Sequence, residues 1–177
     1  MASGYLEHSQ QEAQEIAHAL QQIDTLLGSE KLGQVYQGDV LEIRRKVRTL
    51  LGNIRTDLAA LAEVEASDLF KSDPTQANRR YLLIKNVESA KIEFEFDVLP
   101  ALEKITRQAV ENSKINPPQQ VDESALPPPP TGEKWSVQKV LDVAEQLVEQ
   151  AGRAGAIVAK AYPLVKALGL IVGIPIP

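Results

Sequence analysis

Apolar residues recur at helical spacing through three successive segments of the chain. Between Tyr5 and Gly28 they fall at Ala13, Ile16, Leu20, Ile23 and Leu27, a 3-4-3-4 spacing that puts them on one helix face, with Gln and Glu opposite. Gly28-Ser29 predicts the end of this helix, because glycine accepts the left-handed conformation of a C-cap. A second stripe, Val40, Ile43, Val47, Leu50, Ile54, Leu58 and Leu61, predicts a helix from Asp39, its expected N-cap, to about Ser67. Ser72-Asp73-Pro74 breaks the pattern and restarts it. The third helix is expected over 75–112, on Tyr81, Ile84, Val87, Phe94, Val98, Leu102, Ile105 and Ala109.

Within that third segment, Ile92 to Val98 alternates apolar and acidic residues with period two, the pattern of a strand. No other stretch offers a pairing partner, and a lone strand is not stable. The segment therefore reads as helix, with Ile92, Phe96 and Leu99 widening the buried face; an edge strand added to a partner's sheet is the alternative. Pro100 removes a backbone donor and predicts a kink or a new helix start.

Residues 113–134 change character, holding Pro117, Pro118 and the run Pro127–Pro130. Four consecutive prolines favour an extended polyproline helix, so this stretch is a semi-rigid spacer and an exposed site for proteolysis. Helical spacing returns at Val137, Val140, Leu141, Ala144, Leu147, Val148 and Ala151, and continues in phase through Gly155, Val158, Tyr162, Val165, Leu168 and Val172. Pro163 predicts a kink or split near Tyr162. The expected fold is all-α. Its parts are an antiparallel bundle of three long helices (1–112), a proline-rich linker (113–134) and an apolar C-terminal helical segment (135–177) that supplies a fourth helix or projects.

Composition narrows the chemistry. The 177 residues include no Cys and only two His, and the net charge is −5. Disulfide scaffolds and Cys-based metal sites are thereby excluded, and general affinity for nucleic acid is not expected. His8 and His18 sit ten residues apart on a polar helix with no third ligand nearby, so no metal site is expected. Glu93, Glu95 and Asp97 spread over different faces of a helix. The phosphate-binding motifs G-x-x-x-x-G-K-[ST] and G-x-G-x-x-G are missing, as is the G-x-S-x-G elbow. No enzymatic activity and no cofactor are expected. The start, Met1 to Glu7, has neither a basic nor an apolar stretch, so no signal peptide is expected and the cytoplasm is the expected location.

Two features ask for a functional account. Residues 151–177 carry three charges, Arg153, Lys160 and Lys166, all positive, and the last eleven residues carry none. Small residues at Gly152, Gly155, Ala156 and Ala159 are spaced for close helix contact. A docking or membrane surface would draw on Gly152, Gly155, Ala159, Tyr162, Leu164, Val165, Leu168, Leu170, Ile171 and Ile174. Such an apolar run has to be buried somewhere: in the chain's own bundle, in a partner's groove or in a membrane. The second feature is Arg44, Arg45, Lys46 and Arg48, a basic patch facing a first helix with five acidic residues and no Lys or Arg among residues 1–30. Pairing between these two helices is the expected use, with an acidic partner or lipid as the alternative.

The function expected from these features is that of a non-enzymatic scaffold or adaptor. Its C-terminal segment would mediate oligomerisation or docking to a partner protein. The alternative is a membrane-acting effector whose apolar segment is freed by linker cleavage or oligomerisation. That layout is loosely similar to the four-helix modules of cell-death and anti-phage defence proteins, with no shared motif.

Overall fold

The computed structural model of the chain describes residues 2–30, Leu32, 37–115 and 135–174. Those residues form helices and no strand. The first helix, α1 (Ala2–Leu27), buries its whole expected stripe. Ala19 and Leu26 are buried as well, because α1 is packed by neighbours on more than one side. Its companion α2 (Gln37–Ser67) begins two residues before the expected cap, so Asp39 lies within the first turn. Val40, Val47, Leu50, Ile54 and Leu61 are buried, with Ile43 and Leu58 half-buried at the edge of the stripe. The two helices run antiparallel, since Asp24 meets Arg44 while Gln10 meets Glu65.

Asp68, at φ 55°, adopts the left-handed backbone that turns the chain into a short 3-10 segment, Leu69–Lys71. Asp has a small polar side chain that tolerates this region better than most. The restart at Ser72-Asp73-Pro74 is as expected. Asp73 accepts a hydrogen bond from the Thr75 N–H at 2.9 Å, and Pro74 occupies the first helical turn, where its missing donor costs nothing.

From Pro74 to Ile115 the chain stays helical, as α3 (Pro74–Glu93), a π-helical turn (Phe94–Val98) and α4 (Leu99–Ile115). No strand forms at 92–98. The π turn is the structural answer to Pro100: the Leu99 N–H donates to the Phe94 carbonyl, five residues back, just before the residue that has no donor. The wider turn also suits the four-residue steps from Ala90 to Phe94, Val98 and Leu102, each of which drifts about 40° on an ideal α-helix. One expectation fails here. Leu99 is buried, but Ile92 and Phe96 stand 58% and 68% exposed, so they do not widen the core face. Phe94 and Val98 already fill it, and residues two apart on a helix point to different sides. Tyr81, also expected inside, is 57% exposed.

Helix α4 runs to Ile115, three residues past its expected end. The remainder of the proline-rich linker, 116–134, lies outside the described residues. Trp135 is buried, and Ser136 caps α5 (Val137–Arg153) by accepting the Lys139 N–H at 3.2 Å. The final helix is α6 (Ile157–Val172), ended by Gly173 at φ 75°. The Gly173 and Ile174 N–H groups both reach the Gly169 carbonyl there, the second at 2.9 Å.

The helix is not split at Tyr162-Pro163. The chain reverses at Ala154–Ala156, where Ala154 and Ala156 are extended, and Pro163 lies buried inside α6. Turning at this glycine-flanked point folds α6 back on α5, so that both apolar faces reach the same core. Pro163 leaves the Ala159 carbonyl without its helical donor, and Ala159 is exposed, so water can serve it. Helix α6 packs against α1, α4 and α5, and one apolar cluster runs from Ile16 through Phe94 to Val172.

Candidate functional site

Helix α6 carries most of the residues singled out for docking, and the structure sorts them by face. Leu164, Val165 and Leu168 are buried in the common core against the helices of residues 1–115. Leu170, Ile171 and Ile174 are half-buried, the last two packed against that core, and Tyr162 is half-buried beside α1. Its ring lies 6.5 Å from that of His18 at a tilt of 50°. Burial, and secondly the Glu15 carboxylate, push the Tyr162 phenol above its ordinary 10.0. Lys160 and Lys166 are exposed and make no ion pair among the described residues. The attachment of α6 to the bundle is thus predominantly apolar.

Gly152, Gly155, Ala156 and Ala159 are exposed around the α5–α6 turn. A Cβ built on Gly152 or Gly155 meets nothing within 4 Å. The small residues therefore mark a reversal, and the close helix approach expected of their spacing is not made among the described residues.

Two of the four residues of the basic patch, Arg44 and Arg48, are held by the acidic helix. Asp24 Oδ1 accepts from Arg44 Nε at 3.0 Å and from Arg48 Nε at 2.9 Å, and its own side chain is mostly covered. Arg55 donates to Gln21 at 2.8 Å, extending the same seam. Lys46 is paired along its own helix with Glu42 at 3.8 Å, and Arg45 is exposed. The first helix ends at Leu27, as Gly28-Ser29 predicts, but Gly28 has no positive φ, so the left-handed conformation expected of it is corrected. The Arg44 guanidinium lies over it: a Cβ there would stand 2.8 Å from Nη2, a contact that a small swing of the flexible Arg44 side chain relieves. This places a cation at the C-terminal end of α1, where the helix dipole favours positive charge. Glu12 pairs instead with Lys91 of α3 at 3.0 Å, and Lys91 also donates to Ser9 at 3.2 Å.

Two clefts open along α4. One, of about 120 Å³, lies at the α5–α6 turn between Glu95, Glu103, Lys160 and Leu164. The other, of about 240 Å³, lies between Arg107, Val110, Glu111, Glu145 and Val148. Among the described residues neither is lined by a histidine or a hydroxyl. Lys114 bridges Glu111 and Glu145 beside the second, and those hydrogen bonds, Glu145 first, raise its pKa. Among the described residues no group of three or more His, Cys, Asp or Glu is placed to hold a metal ion, and no helix is long and apolar enough to cross a membrane. His8 and His18 are both exposed on α1.

Reasoning from the sequence missed the apolar residues left outside. Leu82, Ile92 and Phe96 of α3 and the π turn are more exposed than any large apolar residue of α6. The signal was the seven-residue step from Leu82 to Phe96 through Ser89, off the face of Val87 and Phe94. Compared with known protein families, curated proteins and solved structures, the chain matches none.

Proposed function

We propose that this chain is a non-enzymatic helical scaffold or adaptor whose C-terminal hairpin, α5–α6, acts as a latch for protein docking. The observation that carries this reading is the packing of α6. The most apolar of the described helices is seated in the core, yet its two lysines contribute no ion pair to the seat among the described residues. Closed, it completes the bundle. Released, it would present Leu164, Val165 and Leu168 to a partner groove or to another copy, in the helix-in-groove mode. The clefts along α4 offer charged rims and aliphatic floors, which suit contact with protein better than the enclosed, aromatic sites that take small molecules.

Hydrogen exchange on the full chain tests the latch. The expected result is that the amides of α5 and α6 exchange together and faster than those of α1 and α2, as a separately opening unit. Exchange of α6 only with global unfolding would make the hairpin permanent core and remove the docking reading. A second reading rests on the absence of acidic residues in α6 and the exposed Lys160 and Lys166, which favour an anionic lipid surface. Flotation of the full chain with anionic vesicles, and not with neutral ones, would put that membrane-acting reading first.

A further inference from the structure

The outer face of α3 has a property that neither the core nor the latch explains. Leu82, Lys85, Asn86, Ser89, Ile92, Glu93 and Phe96 lie along one side of the helix, opposite Val87, Ala90 and Phe94, and all seven are exposed. The stripe is apolar at both ends and oppositely charged on its flanks. Residues 74–87 carry Arg79, Arg80 and Lys85 and no acid. Residues 92–97 carry Glu93, Glu95 and Asp97 and no base, and these three carboxylates make no ion pair among the described residues.

We propose that this face is a self-docking surface, on which the α3 helices of two copies pair antiparallel about a two-fold axis at Ser89. That axis sets Leu82 of each copy against Phe96 of the other, Lys85 against Glu93, and Asn86 against Ile92. Only a second copy is matched in this way by the face itself: an isologous interface requires the patch to complement its own reversed image, and the order basic, small, acidic does so. Ser89 at the crossing keeps the helices close, and the apolar pairs flank it on both sides. Existing contacts do not compete strongly. Lys85 is held by Glu88 on its own helix at 3.6 Å and lies 5.6 Å from the Tyr81 ring centre, both on the surface. The paired stretch, Leu82 to Phe96, is short, about 22 Å of helix, so the dimer is weak and concentration-dependent.

The test is light-scattering mass of the full chain over a range of concentrations. The expected mass rises from 19.4 kDa towards twice that value. Phe96→Ser should stay at the single-chain mass with unchanged helix content. Lys85→Glu and Glu93→Lys should each weaken the dimer about tenfold, since each reverses two symmetric pairs. The double variant Lys85→Glu/Glu93→Lys should recover the original dissociation constant. A single-chain mass at every concentration overturns the inference, whether the face stays bare or the chain's own residues 116–134 cover it. So does a dimer that survives Phe96→Ser, or a double variant that fails to recover. None of these substitutions touches α6, so the latch reading stands or falls separately.

Discussion

Asp24 holds two arginines with one oxygen, and its neighbours show how unequal the members of a charged cluster are. Asp24→Ala should cost about 1 kcal/mol, most of it lost at high salt, because Arg44 and Arg48 lose a common, mostly covered partner. Arg45→Ala, on the exposed side, should be neutral; urea denaturation of the two variants checks the contrast. Gly173→Ala should cost about 1 kcal/mol, since φ 75° suits glycine and little else. Tyr162 adds a pH dependence. Its phenol titrates above 10.0 in the folded chain, so its contribution to stability is complete below that pH. As the pH rises through the folded value, the unfolded chain loses its proton first and that contribution disappears. Tyr162→Phe should therefore flatten the alkaline limb of the stability profile.

At the scale of elements, the π turn decides which aromatic ring is structural. Phe94 is fully buried and Phe96 is 68% exposed, although the two are equivalent in an alternating pattern. Phe94→Ala should destabilise by about 3–5 kcal/mol, whereas Phe96→Ser should stay within about 0.5 kcal/mol. Thermal melts at low protein concentration separate the two without interference from self-association. Helix starts and stops that rest on local chemistry were legible from the sequence: the Asp73-Pro74 restart, the end of α2 near Ser67, the stripe of α1. The reversal at 154–156 was not. Pro163 is the stronger breaker by rule, but a helix can absorb a proline when the orphaned carbonyl faces water, as that of exposed Ala159 does.

For the whole molecule, the consequence of that reversal is that α6 becomes core. Leu168→Asp places a carboxylate among the apolar groups of the common core and should cost more than about 4 kcal/mol, enough to unfold many domains of this size. Ile171→Asp, at the half-buried rim, should cost about 1–2 kcal/mol and leave the chain folded. Circular dichroism with denaturant checks both. The candidate site was therefore only half visible beforehand. The apolar character of Leu164, Val165 and Leu168 was plain in the sequence, but their use by the chain itself was not, since α1 and α4 supply the walls. The small-residue spacing at Gly152 and Gly155 pointed to a close contact that the turn geometry does not make.

The all-α class and most of the helix faces came from periodicity, caps and breakers, which act over a few residues and need no partner, but the divisions at 94–98 and 154–156 did not. Burial among near-equivalent choices did not. Whether Phe96 joins Phe94 inside, which carboxylate receives Arg44, and what Lys91 holds across 82 residues of sequence at Ser9 all depend on groups brought together only by folding. The outer face of α3 belongs to the same class: its residues are written in the chain, but it is a surface only because Val87, Ala90 and Phe94 commit the opposite side to the core.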